Sequence, residues 1–248
     1  MNSTMPSPDS SRLPLSPRSG SVPKALILSE RGVQHQACTE SIKEHLDHVT
    51  DDLLAALPAA GQLSVEGRRG IIARYSAVLE GNFIYWMTGA YLAAKSEKAR
   101  LIILDNLREE VGDCHPGMLR KFAMAANAVP EASDARAVYP NLSNVRLFIG
   151  RLSPVPIVIM MAFFEGFIQR FMSYLAELAK RQGSGEQVYT DVHGICDVAH
   201  SQELFRAVTA EMALSVDSLE SPEDLFEGVY LLQALIRDIF YNQASTAA

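Results

Sequence analysis

Cysteine is scarce in this chain. Three residues in 248, Cys38, Cys114 and Cys196, form no Cys-x-x-Cys pair, which argues against a secreted disulfide scaffold and a cysteine-based zinc knuckle. A reducing cytoplasm is the expected setting. Positive charge is also short: 22 Lys+Arg stand against 29 Asp+Glu, a formal charge of -7. Nothing in that balance supports nucleic-acid binding through counterion release, or attraction to acidic lipid headgroups. Strand-like alternation between turn dipeptides is missing, and so is any internal repeat of fixed period. The longest apolar stretch, 154–179, begins with two closely spaced prolines and is interrupted by Glu165, Gln169 and Arg170. It reads as a buried core helix rather than a membrane span.

What is present is 48% apolar and 21% charged, enough to bury a real core in one large domain. Residues 1–23 hold five of the twelve prolines and seven serines, and read as a disordered tail without a signal-peptide pattern. From 24 to 248 apolar residues recur at three and four. Helices are predicted near 39–57, 65–95, 97–112, 116–128, 142–151, 155–182, 193–214 and 222–242, the last opened by Ser221, Pro222, Glu223 and Asp224. The expected architecture is one all-α bundle of about seven core helices.

The ionisable residues stand in unusual places. Glu80 and Glu165 are each a lone carboxylate inside the most apolar stretch of its predicted helix, where an unpaired charge costs several kcal/mol. Each must be protonated, paired, metal-bound or turned to a wet side. In His193-x-x-x-Asp197-x-x-His200 the three polar residues span a sector of about 60° on a helix turning 100° per residue. Leu204, Ala207 and Val208 continue that stripe, so the triad is expected to face the core. Two imidazoles and a carboxylate there suit iron or manganese better than magnesium or calcium. Glu110 and His115 are about 140° apart on an ideal helix. They can share a site only if the helix breaks between them, and Gly112 and Pro116 are the expected breakers.

Together these segments offer Glu80, Glu110, His115, Glu165, His193, Asp197 and His200. Four carboxylates would neutralise two divalent ions, and three imidazoles would complete their spheres with positions left for O2 and substrate. Paired Glu-x-x-His motifs, the signature of ferritin-like dimetal bundles, do not occur. At these residues the chain resembles the heme-oxygenase-like diiron oxidases and oxygenases, chiefly through His193-x-x-x-Asp197-x-x-His200 and the order of the other ligands, from about Ala73 to Leu204. A member that decarboxylates medium-chain fatty acids looks similar around Glu80, Asn106 to Glu110, and Glu165. The Glu-to-His spacing varies in that family, so Glu109 rivals Glu110 as ligand. The resemblance implies a heme-oxygenase-like fold, two Fe(II)/Fe(III) ions without heme, and O2-dependent oxidation of a small substrate by N-oxygenation, desaturation or C–C cleavage, in natural-product biosynthesis.

An apolar pocket carrying Ser76, Phe83, Ile84 and Met87 near Glu80, and Met161, Ala162, Ile168 and Gln169 near Glu165, is expected. With the resemblance, this favours a carboxylate-bearing metabolite, first an amino acid and second a fatty acid. Arg74, Arg146, Arg151, Arg170, Arg206 and Arg237 are candidate carboxylate anchors. His35, His45 and His48 are read as surface residues. A small-molecule substrate is the expected partner, without nucleic acid or membrane, and a homodimer is compatible with the chain. The rival reading is a metal-free thiaminase-like hydrolase on the same scaffold, with Cys114 or Cys196 as nucleophile.

Overall fold

A computed structural model describes residues 24–214 and 222–241, apart from the side chains of 24–37, 196–198 and 222. The predicted tail and the Ser221 cap lie outside the described residues. Among the described residues the chain forms nine helices and no strand: α1 Lys24–Ala55, α2 Val65–Leu79, α3 Asn82–Ala93, α4 Glu97–Gly112, α5 His115–Ala125, α6 Ala132–Ile149, α7 Pro154–Arg181, α8 Val188–Met212 and α9 Pro222–Tyr241. This is an all-α bundle.

The predicted helix over 65–95 is two helices. α2 ends at Leu79 with Glu80 as C-cap, and Gly81 takes the left-handed conformation (φ 84°) before α3 begins. Apolar residues run through both halves, so the break leaves no mark in the periodicity; a glycine tolerates it because no Cβ opposes positive φ. α6 begins ten residues before its predicted start, and Pro140 lies inside the helix. A capping box between Glu131 and Asp134 fixes the true start, and Arg69 of α2 grips both carboxylates at 2.9 and 3.0 Å. α8 starts at Val188, five residues ahead of His193, and α1 reaches back to Lys24.

α7 is the central helix, touching α1, α2, α3, α8 and α9. It alone among the described helices is long and apolar enough to cross a membrane, yet 83% of its most apolar window is buried within the bundle. Its residues Phe163, Phe164, Phe167 and Phe171 are among the largest fully buried side chains, with Trp86 and Tyr75 packed beside them. One polar contact positions the site directly. Glu211, at the end of α8 and 1% exposed, accepts hydrogen bonds from the backbone N–H of Lys95 and Ser96 at 2.9 and 2.7 Å. A carboxylate satisfying orphan donors at the start of α4 ties that helix to α8. These two helices carry Glu109, Glu110, His193 and His200.

Candidate metal centre

The centre begins where α4 stops. Glu110 occupies the last turn of α4, and the chain reverses through Asp113 and Cys114 so that His115 opens α5 with Pro116 behind it. The break expected between Glu110 and His115 is there, but Gly112 does not make it. Gly112 is still helical, and Cys114 takes the left-handed turn at φ 58°. The turn brings His115 Nδ1 to 2.7 Å from Glu110 Oε1, with both residues 4% exposed.

α8 supplies the third member. His193 is 4% exposed, and its Nδ1 lies 2.8 Å from the carbonyl oxygen of Tyr189, one turn earlier on the same helix. That contact requires the proton on Nδ1, which leaves the Nε2 lone pair facing inward, 3.9 Å from Glu110 Oε1. Glu110, His115 and His193 each place one ligand atom within 4.8 Å of the others. Ligands on opposite sides of one ion, at bonds of about 2.1 Å, stand about 4 Å apart, so this buried set needs little adjustment to hold a divalent cation. One carboxylate with two imidazoles suits iron.

The charges of the two imidazoles are set oppositely. Burial pushes His115 down, but the hydrogen bond and charge of Glu110, helped by Asp113 and Glu109, outweigh it and hold His115 above its ordinary 6.5. Burial dominates at His193 and holds it below 6.5, against the Tyr189 carbonyl and Glu110 and reinforced by the two neighbouring histidines. His193 is therefore a ready neutral ligand, whereas His115 shares a proton with Glu110 where a cation would sit.

The remaining expected ligands are distributed unevenly. Glu165 of α7, 2% exposed, lines the same cavity as Glu110, His115 and His193. His200, 5% exposed, stands two turns beyond His193 on the buried stripe with Leu204, Ala207 and Val208, and its Nε2 is 2.9 Å from Glu109 Oε2. Both members of the Glu109/Glu110 pair thus meet a histidine, Glu110 inside and Glu109 toward solvent. Asp197 is helical, but its carboxylate lies outside the described residues, as does the Cys196 thiol. Glu80 is not brought to the cavity. It sits at the break after α2, its side chain 35% exposed, in an ion pair with Arg120 of α5. Cys114 is exposed.

The cavity holds about 20 Å³, room for a water or an ion but not for a metabolite. Phe83, Ile84 and Ile168 line it as anticipated, joined by Leu79, Pro116, Leu119 and Tyr189. Ser76 does not: its hydroxyl donates to the Ile72 carbonyl on its own helix at 2.9 Å. None of the six arginines named as anchors reaches the lining. Arg74 donates to Ile239 O, Arg146 to Asn82, and Arg151 and Arg170 pair with Glu227 and Asp51. His48 is exposed as expected, while His45 is half-buried against Phe226 and Tyr230, and the side chain of His35 lies outside the described residues. Two contributors went unseen in the sequence. Tyr189 orients His193 and lies one turn before it, a spacing that would have flagged it had the helix been started earlier. Arg120 left no signal, since nothing local relates it to Glu80.

The fold is an all-α bundle in which a buried carboxylate and two imidazoles on converging helices form a group that could hold a metal ion. The chain belongs to a family of iron-containing redox enzymes, whose model matches residues 73–234 and so covers α3 to α8 together with the end of α2 and most of α9. That family makes it an oxidoreductase. No curated protein matches the chain.

Proposed function

We propose that this protein is an O2-dependent non-heme diiron oxidase or oxygenase acting on a small carboxylate-bearing metabolite, in the first place an amino acid with an apolar side chain. The observation that carries the reading is the buried Glu110, His115 and His193 cluster in a chain of an iron-containing redox family. In this reading Glu110, His115 and His193 hold one iron, with Glu165 beside them. Asp197 and His200 would hold a second, which Glu80 would join only on leaving Arg120. Iron would supply the capacity to activate O2 and to withdraw electrons from the substrate.

The protein's own contributions follow from its contacts. The Tyr189 carbonyl fixes the His193 tautomer and aims Nε2. The proton between His115 Nδ1 and Glu110 Oε1 must leave before Nδ1 can serve as a ligand. Phe83, Ile84, Leu119 and Ile168 keep bulk water from the polar cluster, and would give a substrate an apolar wall once the cavity, too small for a metabolite as it stands, widens. The same wall favours a second reading, a short to medium fatty acid, because the lining apart from the ligands is almost wholly hydrocarbon and aromatic.

The test is anaerobic Fe(II) titration followed by O2 uptake with a panel of free amino acids and fatty acids of graded length. Close to two irons per chain and carboxylate-dependent O2 uptake are expected, with His193→Ala and His200→Ala losing both. Full activity in a metal-free preparation overturns the reading. O2 uptake with fatty acids alone replaces the amino acid by the second reading.

A further inference from the structure

Arg120 already holds a carboxylate, and each partner is next in the chain to a residue that lines the cavity. Its Nε donates to Glu80 Oε1 at 3.0 Å, and its Nη2 pairs with the same oxygen. The fork is therefore spent on one oxygen only, and it does not make the two parallel bonds that a free carboxylate would make with it. The guanidinium side chain is 64% exposed, open to approach from solvent. Both partners adjoin the cavity through the chain: Leu79 precedes Glu80, while Pro116 and Leu119 stand one turn and one residue before Arg120, and all three line it. Glu80 is also placed to leave. It caps α2 immediately before Gly81, whose left-handed backbone has nothing within 4 Å of an added Cβ.

We propose that Arg120 is the substrate's carboxylate-binding residue and that Glu80 occupies it as an internal surrogate, to be displaced when a carboxylate-bearing substrate arrives. The inference rests on the proposed function for the class of substrate and names the residue that would select it. Exposed ion pairs are weak, so exchange of one carboxylate for another at Arg120 is nearly balanced, and a bidentate newcomer wins. Displacement returns a free carboxylate to the chain beside Leu79, on the cavity wall. Carboxylate binding and metal binding are then coupled, and by linkage each strengthens the other.

The experiment uses the full chain, metal-free, with octanoate and leucine as probes and octanamide and leucinamide as uncharged controls. The NMR resonance of the Arg120 Nε–H group should shift with the two carboxylates and not with the amides. Glu80→Gln, which removes the competitor, should tighten carboxylate binding several-fold, whereas Arg120→Gln should weaken it about tenfold or more, as loss of a charge-assisted pair does. In a second measurement, anaerobic Fe(II) titration against a chromophoric chelator, octanoate or leucine should raise the Fe(II) affinity of the wild type. Arg120→Gln should bind Fe(II) more tightly without either probe and no longer respond to them. An Arg120 resonance indifferent to carboxylates in Glu80→Gln overturns the inference. If iron still loads and carboxylates still trigger O2 uptake in that case, the proposed function stands without it. If instead the resonance responds but no iron loads, the carboxylate site stands and the diiron reading falls.

Discussion

His115 Nδ1 lies 2.7 Å from Glu110 Oε1 although the two residues belong to different helices and are joined by a left-handed turn at Cys114. In the metal-free chain a proton takes the place between them, and that proton is the first competitor of any metal ion. The relationship fixes how the centre responds to pH.

Fe(II) affinity is expected to rise with pH from about 6 upward and to level off once the pH passes the raised value of His115. The sign follows from His115 being held above 6.5: at neutral pH its proton must be released for the metal to bind. His193, held below 6.5, is already neutral there and adds no such dependence. In folding stability the two oppose each other. The contribution of His115 is present below 6.5 and lost as the pH rises through its folded value, whereas His193 destabilises the fold as the pH falls below 6.5. Anaerobic Fe(II) titrations at pH 6, 7 and 8 check the first statement, and an affinity independent of pH would contradict it.

The turn at Cys114 predicts a stability change. A residue with a Cβ at φ 58° carries strain of about 1 kcal/mol that glycine does not, partly offset by the greater freedom of glycine in the unfolded chain. Cys114→Gly should leave the thermal midpoint equal or higher, and Cys114→Val should lower it by several degrees, because a β-branched side chain resists this conformation. Thermal unfolding by circular dichroism decides it. A valine variant as stable as the wild type would remove the turn from the account of the centre.

Asn106 stands one turn before Glu110 on α4, 1% exposed, with its Nδ2 lacking a hydrogen-bond partner. An unsatisfied buried donor costs about 1–3 kcal/mol. Asn106→Leu should therefore stabilise the metal-free protein, raising its midpoint by about 2–4 °C for each kcal/mol gained in a chain of this size. The same variant should bind Fe(II) more weakly if the amide is kept to support Glu110. Differential scanning calorimetry and Fe(II) titration on one preparation read both effects, and a fall in stability would show that the amide has a structural partner.

α3 and α6 approach closely at Gly89, where an added Cβ would stand 2.3 Å from Ile149 Cγ2. Ile149 is 1% exposed and β-branched, so the methyl cannot swing aside. Gly89→Ala should cost about 1–3 kcal/mol as overpacking. The paired variant Gly89→Ala/Ile149→Leu, which removes the β-branch methyl at the contact, should recover part of the loss in urea unfolding. No recovery would place the strain elsewhere.

The helical class was legible in the residues alone, and so was the approach of Glu110 to His115. Apolar recurrence at three and four made the fold all-α, because that period has one common solution in water. The spacing of His193 and His200 put both on one face of α8, and the need for a break brought Glu110 and His115 together, since helix geometry converts spacing into direction without help from the rest of the chain. Tertiary structure alone decided the rest. Gly81 could have continued a helix or ended it, and the packing of α2 and α3 as separate pieces ended it. Glu80, read as a carboxylate buried in an apolar helix, is instead at that break and held by Arg120, forty residues away in the chain and marked by nothing local. Glu211, buried at the far end of α8, sets α4 against the histidine helix through two backbone N–H groups that no motif announces. Each of these is a pairing between distant segments, and such pairings come from which surfaces meet when the bundle closes, information that periodicity does not carry.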